Sequence, residues 1–491
     1  MPVQFSMTDE TIFQDDLKAA EKLFAGYSTE ENDLDLLQEL VPPEVESRLL
    51  RLYSQFVHPW YPVLSLRDLQ TPLDRECRLS APIGIRSAVY ALAAPFTFLD
   101  DELSVMKAYW TVPTDDLWAI AHRSFQRASR LAHLSLLQLC LLLLQTPPQN
   151  FAVADPPSFW SLSCSALAIA ESLGLNMDPS SWKLPHREIM LRRRLWWLTY
   201  MGHTWRALVC GRPSHINDSN WDVLDLTEDD FEGIEHPDDD VRHAIVRQVS
   251  ICVANCKLSM IAADVLKEFY TLRANREAVS LNSLLARAQP LRARIQCWRQ
   301  THPLLLKPVC DLSEDEFADS VSLRLSHLTL EILVFRALLR PLHPGATSAT
   351  DASQEPISTI FENCYMCAKV TSEVVASLQS RHFTSFWYPG YFADVRYQLC
   401  YVSTFILLNF AQSTTEESAV RNKALLSKWR DTLRIQARSW PLARLAAVRV
   451  DAIFWKGIQP LIDGAGPESP AVRLLREEGI RKRLVKERMN E

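Results

Sequence analysis

Apolar residues recur along the chain at the three- and four-residue spacing of a helix face. The most informative segment begins at Pro185, which suits a first helical turn, and ends at Gly211, which suits the left-handed position just past a helix end. Between them we predict one long helix, buried over more than half of its girth. Its apolar side chains form two adjacent rows, which are Leu191, Leu195, Leu198, Trp205 and Val209 in one and Ile189, Trp196, Tyr200 and Ala207 in the other.

Two features of this segment disfavour a helix unless tertiary contacts offset them. Gly202 costs ~1 kcal/mol relative to alanine in a helix interior, and we expect close approach of another helix as the compensation. The arginines at 192–194 lie in the N-terminal half, where positive charge opposes the helix macrodipole. Glu188 and the acidic stretch 222–240 are predicted to pair with them. Contact with phosphate or nucleic acid is the alternative role for these arginines.

The same spacing predicts helices along the rest of the chain. Pro156 and Pro157 start one of them, whose buried row is predicted as Phe159, Leu162, Ala166, Ile169 and Leu173, and Gly174 ends it. The acidic stretch 222–240 is predicted to be mostly a solvated loop. The other predicted helices are 45–56, 83–94, 115–133, 134–145, 241–269, 281–302, 321–339, 357–380, 390–412, 416–439 and 442–461.

Composition narrows the class of protein. Twelve glycines in 491 residues, with abundant leucine and alanine, favour helices over turn-rich β structure. The net charge of −7 argues against binding nucleic acid over the whole surface. Eleven cysteines without a secretory signal indicate reduced thiols in an intracellular compartment. The run 134–144 is too short for a bilayer, which needs ~20 residues, so we predict no membrane partner.

A resemblance to a known family rests on the central segment. The run R-R-R-L-W-W, followed after thirteen residues by G-R-P, resembles the central helix of the fungal-specific transcription factor regulatory domain, also called the middle homology region. The longer form G-R-P-S-H-I-x-D-x-x-W-D-V resembles the branch that contains the TamA-type activator of nitrogen and GABA catabolism. The framework residues that the resemblance implies are Arg194, Trp196, Trp197, Gly211, Arg212 and Pro213.

The chain departs from the family pattern at three positions. The family usually has Asp-Arg where His203 and Thr204 stand, and commonly has Ser where Ala207 stands. The resemblance implies an all-α fold that usually follows a binuclear zinc cluster and regulates an activator. We expect a multi-helix regulatory domain with a packed C-terminal helical subdomain.

The predicted organisation has five parts. The parts are the acidic segment 1–44, the regulatory domain 45–340, a loop 341–356, the C-terminal helical subdomain 357–465 and a charged tail 466–491. The acidic segment is interpreted either as amphipathic helices docked on the body, at 16–24 and 31–40, or as a disordered activation segment.

A zinc cluster of the family type needs six closely spaced cysteines, and the sequence contains no such group. Its first cysteine is Cys77, and its one C-x-x-C pair, Cys364 and Cys367, has no second pair beside it. Cys252 and Cys256 are predicted to be core thiols. We therefore predict no metal, no cofactor and no strong sequence-specific contact with DNA. Two explanations stay open: recruitment by another DNA-bound transcription factor or co-regulator, or a missing exon that encodes the zinc cluster.

Other functions have weaker support in the sequence. Asp229-Asp230 and the aspartates 238–240 could imitate the Mg²⁺-binding motif of all-helical isoprenoid enzymes, but the second motif of such enzymes is missing, so we predict no catalytic residues. Fourteen tryptophans and many leucines could line a pocket for a small-molecule effector. Arg481, Lys482 and Arg483 form a candidate nuclear import signal, which predicts a nuclear location.

Overall fold

The computed structural model describes residues 30–65, 69, 81–107, 109–130, 132–231, 239–276, 280–342, 354–382, 394–456 and 469–477. Within these ranges the regular structure is helical, which confirms the predicted all-α class. The helices are α1 Glu30–Leu40, α2 Pro43–Phe56, α3 Ile83–Ala93, α4 Asp101–Met106, α5 Thr114–Ala128, α6 Leu134–Leu143, α7 Pro157–Ser172, α8 His186–Cys210, α9 Asp239–Val265, α10 Leu272–Arg276, α11 Leu281–Gln300, α12 Pro303–Leu306, α13 Glu314–Leu338, α14 Gln354–Ala376, α15 Asp394–Ala411, α16 Glu416–Ser439 and α17 Arg444–Lys456.

Several helix ends differ from the prediction. α13 begins seven residues before the predicted 321, because Ser313 and Glu316 form a reciprocal capping box at its start. α5 ends at Ala128 and not at 133. α4 was not predicted, and the Asp100 carboxylate caps it by accepting from the backbone N–H groups of Glu102 and Leu103. α9 ends earlier than predicted and passes into a π-type turn, Leu266–Tyr270.

The helix α8 lies at the centre of the fold. It packs against α7 on one side and α9 on another, and α6 and α15 also contact it. α15 in turn packs against α13, α16 and α17, so the C-terminal helices share one hydrophobic core with the central ones. The largest fully buried side chains include Trp60, Trp196, Trp197, Trp429 and Trp440. The predicted packing of a C-terminal helical part onto the rest is therefore observed.

The helix α1 shows the docked arrangement for residues 30–40. Leu37 is buried, and the buried Asp33 carboxylate binds Arg123 at 2.6 Å and Arg127 at 2.5 Å on α5. These guanidinium groups lower the pKa of Asp33 although burial alone would raise it. The other predicted N-terminal helix, 16–24, lies outside the described residues.

The buried face of α7 is rotated relative to the prediction. Its buried residues are Ser163, Ala166, Leu167 and Ala170, while Leu162 and Ile169 are only half-buried. Small side chains on this face allow the backbone of α7 to lie close to α8. The expectation based on the larger apolar residues was therefore wrong for most of this row.

One described stretch, residues 242–276, has the length and apolar content that a membrane span needs. Two-thirds of its most apolar window is buried inside the protein. Packing against α8, α13 and α11 accounts for this burial, as expected for a helix of a protein core.

Candidate functional site

The C-terminal end of α8 has the geometry that the sequence predicts. Gly211 adopts φ 62° and ψ 39°, and the backbone N–H of Arg212 donates to the carbonyl of Ala207 at 2.8 Å. This is the hydrogen bond of a Schellman end, which places the chain reversal at the glycine. Arg212 and Pro213 are exposed just beyond it.

The glycine in the middle of α8 does not have the role that we expected. A methyl group built at Gly202 would meet no atom within 4 Å outside its own helix backbone. No neighbouring helix therefore requires the missing side chain, and the expectation of close approach was wrong. The structure offers no packing reason for glycine at this position.

The three consecutive arginines of α8 are occupied by partners within the fold. Arg192 binds Glu188 at 2.9 Å, one turn earlier on the helix. Arg193 binds two carboxylates, Asp178 at 3.2 Å and Asp230 at 2.5 Å. The predicted ion-paired role is thus observed for these two residues, and the nucleic-acid alternative loses its support.

Arg194 is the most buried of the three, with 1% of its surface exposed. Its guanidinium donates to the backbone carbonyl of Asp230 at 2.5 Å. The side chain of Asp230 also accepts from the backbone N–H of Thr227 at 3.0 Å, which closes a tight turn. Arg193 and Arg194 thus hold the segment after the glycine turn against α8.

Asp178 is a second anchor of that segment, and its role was not predicted. Its carboxylate accepts from the backbone N–H groups of Ser180 at 2.9 Å and Leu224 at 3.0 Å, in addition to Arg193. Burial raises the pKa of Asp178, but these hydrogen bonds outweigh it and lower the pKa to about 2. The sequence carried no signal for this pairing, because Asp178 lies outside the acidic stretch.

The described part of the acidic stretch, 222–231, is mostly exposed, as predicted, but a few of its residues are buried against the fold. Val223, Leu226 and Asp230 are buried, although Asp222 and Asp225 are exposed. Apolar residues between the acids dock on α8 and bring Asp230 to the arginines. Residues 232–238 lie outside the described ranges, and Asp239 begins α9.

An aromatic cluster joins α8 to the segment that follows the glycine turn. Trp221 packs against Trp196, Trp197 and Tyr200, with ring centroids 5.2–6.1 Å apart. The indole N–H of Trp197 donates to the carbonyl of Leu224 at 2.8 Å. Both framework tryptophans are 1% exposed. Their role is therefore to hold the segment in place and not to contact a ligand at the surface.

His203, which stands at a position where the family usually has aspartate, is part of the same clamp. Its Nε2 accepts from the backbone N–H of His215 at 3.1 Å, and its Nδ1 lies 3.2 Å from the hydroxyl of Ser163 on α7. Burial lowers the pKa of His203 to about 4, and electrostatic repulsion from the neighbouring His215 and Arg206 adds to the effect. A neutral imidazole thus links α8 to the loop at this position.

A buried ion pair connects this region with the C-terminal helices. Asp155, just before α7, binds Arg396 of α15, which is fully buried, and lies 3.6 Å from Arg206 of α8. Arg396 also donates to the carbonyl of Val153 at 2.8 Å. The hydroxyl of Tyr401 on α15 donates to the carbonyl of Val209 at 3.1 Å. The end of α8 is therefore tied to both α7 and α15.

A small cavity lies beside this junction. It has a volume of about 20 Å³ and is lined by residues of α8, α9, α13 and α15, among them Trp205, Asn255, Ser322 and Gln398. A space of this size accommodates about one water molecule. It does not provide the metabolite-sized effector pocket that the tryptophan content suggested.

The other predicted candidates are placed as follows. Cys252 and Cys256 are buried core thiols on α9, as expected. Cys364 is buried on α14 with Cys367 beside it, and burial raises the pKa of both thiols. Within the described ranges there is no group of three or more residues suited to bind a metal ion. Arg481, Lys482 and Arg483 lie outside these ranges.

Two of the aspartates that the enzyme alternative would use, Asp230 and Asp239, are already engaged by partners within the described part of the fold. Asp230 is buried and is engaged by Arg193 and the turn at Thr227, so its carboxylate is not free to bind Mg²⁺. Asp239 pairs with Arg242 at 2.7 Å, one turn along α9. Both carboxylates therefore have structural roles in this fold.

The sequence was compared with known protein families and known proteins. Residues 50–300, just over half of the chain, match the family described as fungal specific transcription factor domain. The chain belongs to this family. The matched range contains α8, the Gly211 turn and the carboxylates that hold the arginines.

The relatives of this chain include proteins named as regulators of transcription. The chain is 25% identical over 456 residues to transcriptional activator protein DAL81 of Saccharomyces cerevisiae, covering 84% of this chain and 44% of that protein. It is 23% identical over 320 residues to an uncharacterized transcriptional regulatory protein of Schizosaccharomyces pombe, covering 65% and 45%. It is 26% identical over 195 residues to an acetamidase regulatory protein of Aspergillus fumigatus, covering 40% and 24%.

The chain therefore spans less than half the length of each of these relatives. No solved structure is significantly similar to it. The family and the relatives agree with a role in the regulation of transcription.

Proposed function

We propose that this chain is a nuclear co-activator of fungal metabolic genes, among them genes of nitrogen metabolism. It acts through protein–protein contacts at promoters and is recruited by a DNA-bound transcription factor or co-regulator. Support comes from the fungal transcription factor domain and from relatives that are a transcriptional activator and an acetamidase regulatory protein.

The observation that carries the protein-contact mechanism is the fate of the arginines at 192–194. A phosphate-binding surface needs exposed cations, but Arg193 binds two carboxylates and Arg194 is buried against a carbonyl. The basic run of the family motif is thus a structural element of the domain. The net charge of −7 is consistent with contacts to proteins rather than to DNA.

A second candidate is that the 491 residues are the regulatory part of a longer zinc-cluster transcription factor. The observation that favours it is the coverage, since the chain corresponds to 44% and 45% of two relatives. In that case the DNA contacts would belong to a preceding segment, and the domain described here would regulate it.

The two candidates are separated by one experiment in the native host. The gene is tagged at its 3′ end, the cells are crosslinked, and the DNA bound to the protein is sequenced, while immunoblotting gives the size of the endogenous protein. A product of about the mass of this chain, 56.1 kDa, enriched at promoters supports recruitment. A much larger product supports the zinc-cluster candidate. If the folded protein shows no enrichment at any promoter, the proposed function is wrong.

A further inference from the structure

A cluster of exposed apolar side chains lies between α3 and α5. Five large apolar residues within twelve positions are exposed, and the exposed fraction reaches 70% for Val105 and 93% for Tyr109. Elsewhere in the described ranges, no stretch of twelve residues contains more than two exposed large apolar side chains. Such clusters on a folded protein commonly mark interaction sites. The five residues are Phe98, Leu99, Val105, Met106 and Tyr109.

This surface is held firmly from beneath. The ring of Phe96 is buried and stacks on Phe56 of α2, with centroids 5.2 Å apart. Asp100 caps α4 and also binds Arg48 at 2.9 Å and Arg51 at 2.7 Å, both on α2. The apolar side chains are therefore carried by a segment that is already anchored before a partner binds. Binding would then cost little conformational entropy of this segment.

A groove of about 250 Å³ runs through the same segment. Its apolar lining includes Pro95, Leu103, Trp110 and Val112. Leu103 is buried at its base, and Trp110 is half-buried at its side. An apolar groove in a segment that also carries exposed apolar residues can accept the side chains of a short peptide segment.

The charge of the groove restricts what it can accept. Lys107 is the one charged side chain in the lining, and no ion pair of this exposed lysine is found in the described part of the chain. Glu102, on the same short helix, is already bound to Arg48. Asp115 and Asp116 are exposed but do not line the groove. A complementary ligand therefore places a carboxylate at Lys107 and apolar groups beside it.

We propose that the segment 94–114 is the docking surface for the DNA-bound partner, and that it accepts a short stretch of that partner in which aromatic or aliphatic side chains flank a carboxylate. This assignment rests on the proposed function. The apolar groove supplies affinity through burial of the partner's side chains, and Lys107 fixes their position.

The test uses the full chain in its host and four variants. Val105→Glu puts charge into the apolar surface, and Val420→Glu is its control, because Val420 is a 54% exposed helical residue on α16. Lys107→Glu reverses the charge at the groove, and Lys107→Arg is the conservative control. We expect promoter enrichment to fall at least tenfold for Val105→Glu and Lys107→Glu, and to stay at the wild-type level for the two controls. Equal urea midpoints of the purified proteins establish that all are folded.

Retained enrichment of Val105→Glu would overturn the docking surface. Retained enrichment of Lys107→Glu, with loss for Val105→Glu, would overturn the requirement for a carboxylate. If the wild-type protein itself shows no enrichment, the proposed function fails, and the docking assignment fails with it.

A photo-crosslinking amino acid in place of Tyr109 identifies what occupies the surface. We expect an adduct with a promoter-bound protein, at a peptide that contains carboxylates among apolar residues. An adduct with residues 1–29 of this chain, or with a second copy of it, would overturn the proposal.

Discussion

The two glycines of α8 give a matched pair of substitutions with opposite expected effects. A methyl group at either position would meet no atom within 4 Å, so neither Gly202→Ala nor Gly211→Ala creates a steric clash. The difference lies in the backbone. Gly211 has φ 62°, whereas Gly202 lies inside the helix without a positive φ. The pair therefore separates backbone strain from packing.

The magnitudes follow from this geometry. At Gly211 the left-handed conformation destabilises the folded state of the alanine variant by ~1–2 kcal/mol. Alanine also reduces the conformational entropy of the unfolded chain, which offsets ~0.4–1 kcal/mol of this loss. The free energy of unfolding should thus fall by about 1 kcal/mol. At Gly202 alanine should raise it by about 1 kcal/mol, because helix propensity is the only term that changes. Gly211→Val should cost more than Gly211→Ala, since β-branched residues tolerate positive φ least.

Urea unfolding of the purified full chain, followed by far-UV circular dichroism, measures these differences if the slopes of the transitions are equal. An unchanged or higher stability of Gly211→Ala would refute the assigned strain at the helix end. A loss of stability for Gly202→Ala would show that this position has a neighbour that restricts it.

Three other predictions follow from buried side chains and their contacts, and a fourth follows from the sequence of the charged tail. Trp197→Ala should lower the free energy of unfolding by about 3–5 kcal/mol, because the ring is 1% exposed, and a near-neutral effect in urea unfolding would contradict its burial. Asp155→Asn should lower the free energy of unfolding by about 3–5 kcal/mol, because it leaves the fully buried Arg396 without its carboxylate. A smaller loss when Asp155→Asn is made in the Arg396→Met variant would support the pairing, and equal losses in the two backgrounds would refute it. The pKa of Asp178 is lowered to about 2 in the folded state, so the ionised carboxylate stabilises the fold above its unfolded pKa of ~3.9, and this stabilisation is lost as the pH falls toward 2. The stability of Asp178→Asn should lack this part of the pH dependence in acid unfolding. An identical loss of stability at low pH in the variant and the wild type would refute the assignment. Replacing Arg481, Lys482 and Arg483 together by alanine should exclude a fluorescently tagged chain from the nucleus, and unchanged nuclear fluorescence would eliminate this import signal.

Much of the fold could be predicted because its rules are local. The long helix, its two buried rows and its end at Gly211 depend on residue spacing and on the conformational freedom of one glycine. The capping box at Ser313 and Glu316 was equally local, and the predicted start at 321 missed a signal that four residues carried. The family resemblance likewise depended on a short run of residues in α8 and its following turn.

The partners of the arginines show where local rules end. Charge counting indicated that acids from 222–240 would meet the arginines, and Asp230 does so. Asp178 could not be chosen in the same way, because nothing in the sequence around it distinguishes it from the other acidic residues of the chain. Its role depends on the approach of Leu224, whose N–H it accepts from a position 46 residues away.

The sequence by itself determined most of the helices, the end of α8 at Gly211 and the family, because each depends on residues within a few turns of one another. The tertiary structure decided which face of α7 is buried, why Asp155 pairs with Arg396 across 241 positions, and that Gly202 has no neighbour. It also decided that Val105 and Tyr109 stay exposed, and that the same stretch of chain forms a groove. These properties depend on the separation and orientation of distant elements, which helical spacing along the chain does not encode.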